Sequence, residues 1–171
     1  MAKRLCAILG ASGIVSQRLQ QRLANHPWFE LVAICGGPDT AGKPLSSIGW
    51  KLEQQRPTLA EITVLDLSNS KICKQLLELG VSIVFSAIPS EIAQDVEPML
   101  AESGFAVFSN ASAYRRVDGI PLVIAEINPQ HMEHFAVDGL PIACSTNCTL
   151  IPTAMPLAPI NKLLGIKSQI G

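Results

Sequence analysis

The fold is decided near the start of the chain by the stretch Leu5-Cys6-Ala7-Ile8-Leu9-Gly10-Ala11-Ser12-Gly13-Ile14-Val15-Ser16. Its apolar first half is typical of a buried strand, and Val15, Leu19 and Leu23 then recur every four residues as one face of a helix. Glycines at such a junction let the backbone turn tightly and bring its N–H groups close to a pyrophosphate. Ser16 takes the third glycine position of the pattern, and two glycines after a strand can also form an ordinary turn. The strand, turn and helix context favours nucleotide binding.

Further apolar runs alternate with helical patterns along the chain, which indicates a parallel sheet wrapped by helices. A helix start with a capping residue and proline at the first helical position is predicted at Asn128-Pro129. The predicted strands after the first are residues 31–35, 62–67, 81–88, 105–108, 121–125 and 140–144.

Two more helices are predicted between these strands, at residues 70–79 and from residue 90 to about residue 104. In the second, Pro98 removes a backbone donor and is expected to bend the helix. The apolar face of this helix is predicted to consist of Ile92, Val96 and Leu100.

The composition narrows the class of protein. At 171 residues, with 48% apolar and 16% charged residues, the chain can form one globular domain, or one domain and a fragment of another. Its 13 Lys and Arg balance 14 Asp and Glu without a basic run, which argues against a surface for nucleic acid or anionic membranes. No apolar run approaches the roughly 20 residues that span a bilayer. Small molecules or other protein chains are the expected partners.

The five cysteines are odd in number and show no C-x-x-C spacing. We therefore expect neither structural disulfides nor a metal site, and a reducing cytoplasm is the simplest compartment.

The loop after the second strand reads Gly36-Gly37-Pro38-Asp39-Thr40-Ala41-Gly42-Lys43. In dinucleotide folds this loop selects the cofactor, since a carboxylate accepts ribose hydroxyls whereas a cation and hydroxyls hold a 2′-phosphate. Asp39 would repel a 2′-phosphate, while Thr40 and Lys43 could attract one. A solvated loop without ligand contact is the alternative.

Cys148 follows the last predicted strand and precedes an apolar segment. A helix dipole and free N–H groups favour a thiolate at the helix N-terminus, which prepares a nucleophile. A lone cysteine is also often a buried small hydrophobe, and this is the interpretation for Cys144. Arg115 lies beyond the C-terminal end of a strand, where it could hold a phosphate or carboxylate, or form a surface pair with Arg116. The three histidines are predicted to lie on the surface, and none is placed to act as a base for Cys148.

Five blocks of this sequence, in order and at family-like spacing, resemble aspartate-semialdehyde dehydrogenases of the archaeal and fungal branch. The blocks are Ile8-Leu9-Gly10-Ala11-Ser12-Gly13-Ile14-Val15, Ala24-Asn25-His26-Pro27-Trp28-Phe29-Glu30, Val84-Phe85-Ser86-Ala87-Ile88-Pro89-Ser90, Phe108-Ser109-Asn110-Ala111-Ser112-Ala113-Tyr114-Arg115 and Asn147-Cys148-Thr149.

The resemblance implies an α/β fold with a Rossmann-like, doubly wound and mostly parallel sheet. In that family the enzyme uses NADPH to reduce aspartyl phosphate to aspartate semialdehyde, on the route to lysine, threonine and methionine, through a cysteine thioester. Carried over by position, Cys148 is the nucleophile with Asn147 beside it, and Arg115 with Asn110 contacts the phosphate or substrate. The implied cofactor contacts are Gly10, Ser12, Gly13, Ile14, Thr40 and Ser86.

The sequence also departs from the family pattern. Gly37 and Asp39 stand where a serine and a basic residue are usual, so NAD is an alternative to NADP. Ser16 replaces a glycine, and Ser145-Thr146 replace the usual Asn-Pro before Asn147. Prolines in the segment that should form the helix behind Cys148 are expected to weaken or remove its dipole. These prolines are Pro152 and Pro156.

Family members continue for roughly as many residues again, through a domain that supplies a catalytic histidine and most of the dimer interface. We therefore predict an NAD(P)-binding Rossmann domain at residues 1–148 and, at residues 149–171, the start of an otherwise absent catalytic and dimerisation domain, whose first strand would begin near Ile166. On this prediction the chain alone is weakly active or inactive, and uncovered apolar surface favours self-association or a partner chain. The alternatives are a non-catalytic nucleotide-binding or interaction protein, and a related reductase of acyl phosphates or acyl-CoA thioesters.

Overall fold

The computed structural model describes residues 2–59, 61–137 and 139–166. The described strands are β1 (Arg4–Leu9), β2 (Phe29–Gly36), β3 (Leu65–Asp66), β4 (Ile83–Ser86), β5 (Ala106–Ser109), β6 (Leu122–Val123) and β7 (Ile142–Ser145). The described α-helices are α1 (Ile14–Leu23), α2 (Ile72–Glu78), α3 (Ser90–Glu102) and α4 (Leu150–Leu164). Short 3₁₀ helices cover Leu45–Ser47 and Pro129–His134.

The seven strands form one sheet in the order β3-β2-β1-β4-β5-β7-β6, and all neighbouring strands in it pair in parallel. The strand order reverses direction at β1, which pairs with β2 on one side and with β4 on the other. In such sheets a crevice opens beyond the carboxyl ends of the strands at this reversal, and ligands bind there. The predicted α/β, Rossmann-like, doubly wound fold is confirmed.

Apolar side chains cover both faces of the sheet, as expected where parallel strands are flanked by helices. One core cluster joins α2 and α3 to β5 and β7, and the other joins α1 and the segment between β2 and β3 to the opposite face. Cys6 to Leu9 of β1 are fully buried between them. The turn that follows Leu9 therefore starts from a strand end that the core holds in place.

The predicted strand at residues 62–67 is mostly wrong, because only Leu65–Asp66 joins the sheet. Ile62 and Val64 are buried as expected, but their backbone pairs with the preceding loop. The Leu45 N–H donates to the Ile62 carbonyl and the Val64 N–H donates to the Lys43 carbonyl. Apolar residues alone do not tell which backbone an extended segment pairs with.

The helix start predicted at Asn128-Pro129 is confirmed, with Asn128 as the N-cap residue, but the side-chain cap is absent. The helix that starts at Pro129 is a 3₁₀ helix, and the Asn128 side chain makes no capping hydrogen bond to it. Asn128 Oδ1 instead accepts the Ile124 N–H at 2.7 Å, and Nδ2 donates to the Leu122 carbonyl at 2.9 Å. These two hydrogen bonds of the amide stabilise a turn directly after the short strand β6.

The buried face of α3 differs from the predicted one. Ile92 is 46% exposed, so the predicted apolar face is wrong at this residue. Pro98 lies inside α3 and leaves the Gln94 carbonyl without its helical donor. The Tyr114 hydroxyl donates to that carbonyl at 2.5 Å and takes the place of the missing N–H. The buried residues of α3 are Ala93, Glu97, Leu100 and Ala101.

The helix behind Cys148 forms with its prolines in place, and their expected weakening of its dipole stays a prediction. Pro152 lies in the first turn of α4, where an N–H has no helical acceptor anyway. Pro156 and Pro159 lie further along the helix. No residue of α4 is buried, so water can hydrate the carbonyls left without donors. The strand predicted near Ile166 falls mostly on residues 167–171, which lie outside the described residues.

Candidate active site

A cleft of about 600 Å³ lies at the carboxyl edge of the sheet, around the ends of β1, β2 and β4. The residues that line it come from the turn after β1, the loops after β2, β3 and β4, and the first two turns of α3. They are Gly10, Ala11, Ser12, Gly13, Gly36, Gly37, Pro38, Thr40, Leu67, Ser68, Ala87, Ile88, Pro89, Ile92 and Val96. None of these lining residues is charged.

Gly10 is the residue that the turn after β1 requires. Its φ is +100°, and a Cβ built on it would lie 2.8 Å from the backbone oxygen of Ala87. Its N–H donates to the Cys35 carbonyl at 2.8 Å, which ties the turn to β2. An L side chain at this position would be strained both by φ and by the neighbouring strand end.

Ser16, which replaces a glycine of the pattern, stabilises this turn. Its side chain is fully buried, and its hydroxyl donates a hydrogen bond to the Gly10 carbonyl. Gln20, one turn later, donates from Nε2 to the Ala11 carbonyl and to Ser16 Oγ, both at 3.3 Å. Sequence reasoning missed Gln20, although its position four residues after Ser16 places both side chains on one helix face.

The turn leaves backbone donors available for an anion. Among the described hydrogen bonds, the N–H groups of Ala11, Ser12 and Gly13 have no acceptor. Gly13 is the N-cap of α1 and has no side chain to cap the helix, and the first turn of α1 carries no acidic residue. An exposed helix N-terminus with free donors fits the pyrophosphate of a dinucleotide.

The loop after β2 folds back on itself at Thr40. The Thr40 side chain packs against Gly36, where a Cβ would overlap its hydroxyl oxygen, and this hydroxyl donates to the Gly37 carbonyl at 3.2 Å. Asp39 and Lys43 are both exposed and neither lines the cleft. Thr40 thus shapes the loop, and neither charge that could select between NAD and NADP is among the lining residues.

Ser68, in the loop after β3, also lines the cleft and was not predicted from the sequence. Its N–H and hydroxyl both donate to Asp66 Oδ1, at 2.9 and 2.7 Å. These two hydrogen bonds hold the pKa of Asp66 below its usual value. The Asp-x-Ser spacing after an apolar segment was an available signal for this turn.

Two of the six predicted cofactor contacts do not line the cleft. Ile14 is 60% exposed at the start of α1, outside the lining residues. Ser86 is fully buried at the end of β4, and its carbonyl accepts the Asn110 N–H at 3.0 Å. The other four, Gly10, Ser12, Gly13 and Thr40, do line it.

Asn110 and Arg115 lie together beyond β5, and both form hydrogen bonds with Ser145 at the end of β7. Arg115 Nε donates to the Ser145 carbonyl at 2.9 Å, and Nη2 donates to the Asn110 carbonyl at 2.8 Å. The Ser145 hydroxyl donates to Asn110 Oδ1 at 2.9 Å. A guanidinium has five N–H groups, so this arrangement fixes Arg115 and leaves donors for an anion.

Cys148 is exposed at the N-terminal end of α4. Asn147 Oδ1 accepts the Thr149 N–H at 2.9 Å and the Thr149 hydroxyl at 2.8 Å, which shapes the turn around the cysteine. The thiol Sγ lies 3.6 Å from the same oxygen. Asn147 therefore orients the turn that presents the thiol.

The other cysteines differ from Cys148 in exposure. Burial raises the pKa of Cys6, Cys35 and Cys144 to about 12, since a thiolate is costly away from water. Cys73 is half-buried, and all five thiols are free. The buried position predicted for Cys144 is observed, and Cys148 is the exposed thiol among the five.

The structure also locates the histidines. His131 and His134 are exposed, and His26 is half-buried with Nδ1 accepting the N–H groups of Trp28 and Phe29.

The part of the chain that the structure describes holds no group of three or more His, Cys, Asp or Glu side chains that could bind a metal. None of the described helices combines the length and apolar character needed to cross a bilayer.

Comparison with known proteins places this chain in a family. Residues 6–135 match the family described as semialdehyde dehydrogenase, NAD binding domain. Aspartate-semialdehyde dehydrogenase of Archaeoglobus fulgidus is 38% identical over 164 residues, which cover 91% of this chain and 46% of the relative. The enzyme of Methanothermobacter thermautotrophicus is 36% identical and covers 94% and 46%.

A solved structure agrees with these sequence relatives. The crystal structure of aspartate-semialdehyde dehydrogenase with NADP from Candida albicans has a TM-score of 0.80 and 30% identity, over 95% of this chain and 48% of that one. The chain spans about half the length of the relatives it matches. It belongs to the semialdehyde dehydrogenase family and is a homologue of aspartate-semialdehyde dehydrogenases through their NAD-binding domain.

Proposed function

We propose that this chain binds NADPH, or NADH, in the cleft and supplies the cysteine nucleophile for the reduction of aspartyl phosphate to aspartate semialdehyde. The observation that carries the proposal is the position of Cys148. This exposed thiol follows β7 at the carboxyl edge of the sheet that also carries the cleft, directly before α4. A dinucleotide site and a thiol at one sheet edge suit chemistry that joins covalent and hydride steps.

The reaction would begin at Cys148. Its thiolate attacks the acyl carbon of aspartyl phosphate, a carbon–sulfur bond forms, the bond from carbon to the phosphate oxygen breaks, and inorganic phosphate leaves. The cleft would hold the dinucleotide, whose chemistry is hydride donation to the thioester carbon. Cys148 would then leave as the thiolate, and the aldehyde would be released. The dipole of α4 favours the thiolate at its N-terminus.

Arg115 would hold an anionic group of the substrate. Two of its donors are occupied by the Ser145 and Asn110 carbonyls, and Ser145 lies three residues before Cys148. The guanidinium is thus fastened to the strand that leads into the nucleophile. A fixed, partly occupied guanidinium loses little entropy when it binds a phosphate or carboxylate.

The choice between NADPH and NADH would depend on the loop after β2. The neutral lining of the cleft gives no cation to a 2′-phosphate, and exposed Asp39 lies between two lining residues, Pro38 and Thr40. Lys43 is the nearest basic residue in the sequence of that loop. NADP is proposed from the relatives, with NAD as the alternative that Asp39 favours.

Acyl transfer to Cys148 tests the proposal directly. The 171-residue chain is mixed with aspartyl phosphate, and intact-protein and peptide mass spectrometry are used to find the thioester. We expect the adduct on Cys148, its loss in Cys148→Ala, and its retention in Cys73→Ala, which removes a thiol outside the site. Phosphate-dependent oxidation of aspartate semialdehyde gives the reverse reaction.

Three outcomes would change the proposal. An adduct distributed over several cysteines would remove Cys148 from its role. Cofactor binding without any adduct would favour a non-catalytic nucleotide-binding protein. An adduct from acyl-CoA thioesters, with none from aspartyl phosphate, would identify a reductase of the related class.

A further inference from the structure

Glu97 is a buried carboxyl group that the proposed reaction does not use. It lies in α3 with a fully buried side chain. Its Oε1 accepts the Ser109 hydroxyl at 2.7 Å. Its Oε2 and the Ser86 hydroxyl oxygen are both buried, and neither has a well-formed hydrogen bond within the described residues. Glu97 therefore lies between the carboxyl ends of β4 and β5, with polar atoms that need a partner.

The surroundings of Glu97 disfavour a carboxylate. Cys144 and Tyr114 face it, and the described ion pairs include no cation bound to it. Two further charges lie near these groups: Arg115 lowers the pKa of Cys144, and Asp95 of the same helix raises the pKa of Tyr114. Burial raises the pKa of Glu97, and the hydroxyls of Ser86 and Ser109 lower it. An unpaired carboxylate is far more costly to bury than the neutral acid.

The two serines beside Glu97 hold the segment that leads to Arg115. Ser109 Oγ accepts the Ala111 N–H at 3.0 Å while its hydrogen points to Glu97. The Ser86 carbonyl accepts the Asn110 N–H at 3.0 Å and Asn110 Nδ2 at 3.4 Å. Asn110 in turn binds Arg115 through its carbonyl. A continuous set of hydrogen bonds thus runs from Glu97 to the guanidinium.

We propose that Glu97 is a positioning residue that, as the neutral acid, ties α3 to the ends of β4 and β5 and so fixes the segment at residues 110–115. Its proton on Oε2 donates to the Ser86 hydroxyl oxygen, and Oε1 accepts from Ser109. The role of Arg115 in holding a substrate anion rests on the proposed function, whereas the positioning role of Glu97 does not.

The sign of the pH dependence follows from the neutral acid. Because folding favours the protonated form, the stabilisation from Glu97 is complete below the ordinary glutamate pKa of about 4.3 and is lost as the pH rises through the raised pKa in the folded chain. Ionisation would place a charge between β4 and β5 and disturb the segment that carries Arg115.

The test is a pH titration of isotopically labelled chain by NMR, in which the Glu97 carboxyl carbon and the Arg115 Nε–H are followed together. We expect Glu97 to ionise at a pH above the ordinary glutamate pKa of about 4.3, because burial raises its pKa. The Arg115 resonance should move at the pH where Glu97 ionises and should stay fixed over that range in Glu97→Gln, whose amide imitates the neutral acid. Glu102→Gln, an exposed carboxylate of the same helix, should behave like the wild-type chain.

Ionisation of Glu97 near pH 4.3 would overturn the proposal. An Arg115 resonance that moves neither when Glu97 ionises nor in Glu97→Ala would overturn it as well. If Glu97→Gln does not fold, the wild-type titration still decides the protonation state. Cofactor binding and acyl transfer are not part of this measurement, so its failure is separate from failure of the proposed function.

Discussion

The cofactor cleft and the helix behind Cys148 differ in how the rest of the chain supports them. The cleft turn starts at Leu9, which is fully buried, and is fastened by Ser16 and by the Cys35 carbonyl. Helix α4 has no buried residue, and Leu163 and Leu164 are 81% and 82% exposed. The core thus fixes the nucleotide site within these residues, whereas the helix that presents the nucleophile depends mainly on its own backbone. Self-association through exposed apolar residues of α4 stays a prediction, which sedimentation velocity can test.

The largest expected difference is in the free energy of unfolding after leucine truncation. Leu100→Ala removes a fully buried side chain of α3, and we expect a loss of about 2–5 kcal/mol. Leu163→Ala removes an exposed side chain of α4 and should change stability by less than about 0.5 kcal/mol. Urea unfolding followed by circular dichroism measures both. Equal losses would mean that α4 is packed as firmly as α3.

The next comparison uses two glycines of the same turn. In Gly10→Ala the new Cβ meets the Ala87 oxygen at positive φ, so we expect a loss of about 1–3 kcal/mol and a displaced turn. Gly13→Ala has an extended backbone, with φ of −73°, and nothing within 4 Å of the new Cβ. It should therefore unfold close to the wild-type temperature. Thermal unfolding of both variants tests whether the turn requires a glycine at position 10 and not at position 13.

The smallest effect is expected beside the cleft, at Asp39. Asp39→Asn removes an exposed negative charge next to the lining residue Thr40, so NADP should bind about twofold to fivefold more tightly, with NAD unchanged. Glu102→Gln removes an exposed charge at the C-terminal end of α3, whose N-terminal end lines the cleft, and serves as the control. Fluorescence titrations with both dinucleotides measure the ratio of affinities. An equal gain for NAD, or none for NADP, would show that Asp39 does not face the 2′-position.

The difference between the two regions also limits what sequence reasoning can predict. The turn at Gly10 was predictable because a glycine, a strand and a helix lie within one local stretch. The position of Ser86 was not, since side chains alternate between sheet faces and strand register decides which one points inward. Glu97 was missed because a carboxylate is expected on the solvent side of a helix. Its place four residues after Ala93 and three before Leu100 was the available signal that it shares their buried face.

The departures from the family pattern show the same limit. Ser16 in place of glycine weakened the sequence argument, yet its hydroxyl holds the turn that the glycines form. Proline inside a helix usually kinks or breaks it, and yet α4 forms, with Pro152 in its first turn, where proline is tolerated. Long-range contacts and position within a helix therefore decide outcomes that residue type alone leaves open.

Calorimetric titration of NADP and NAD into the 171-residue chain tests most directly the claim that these residues form a cofactor site by themselves. We expect saturable binding of at least one dinucleotide, about tenfold or more weaker binding in Gly10→Ala, and unchanged affinity in Cys148→Ala. Absence of binding to both dinucleotides, or binding that is indifferent to Gly10→Ala, would contradict the account.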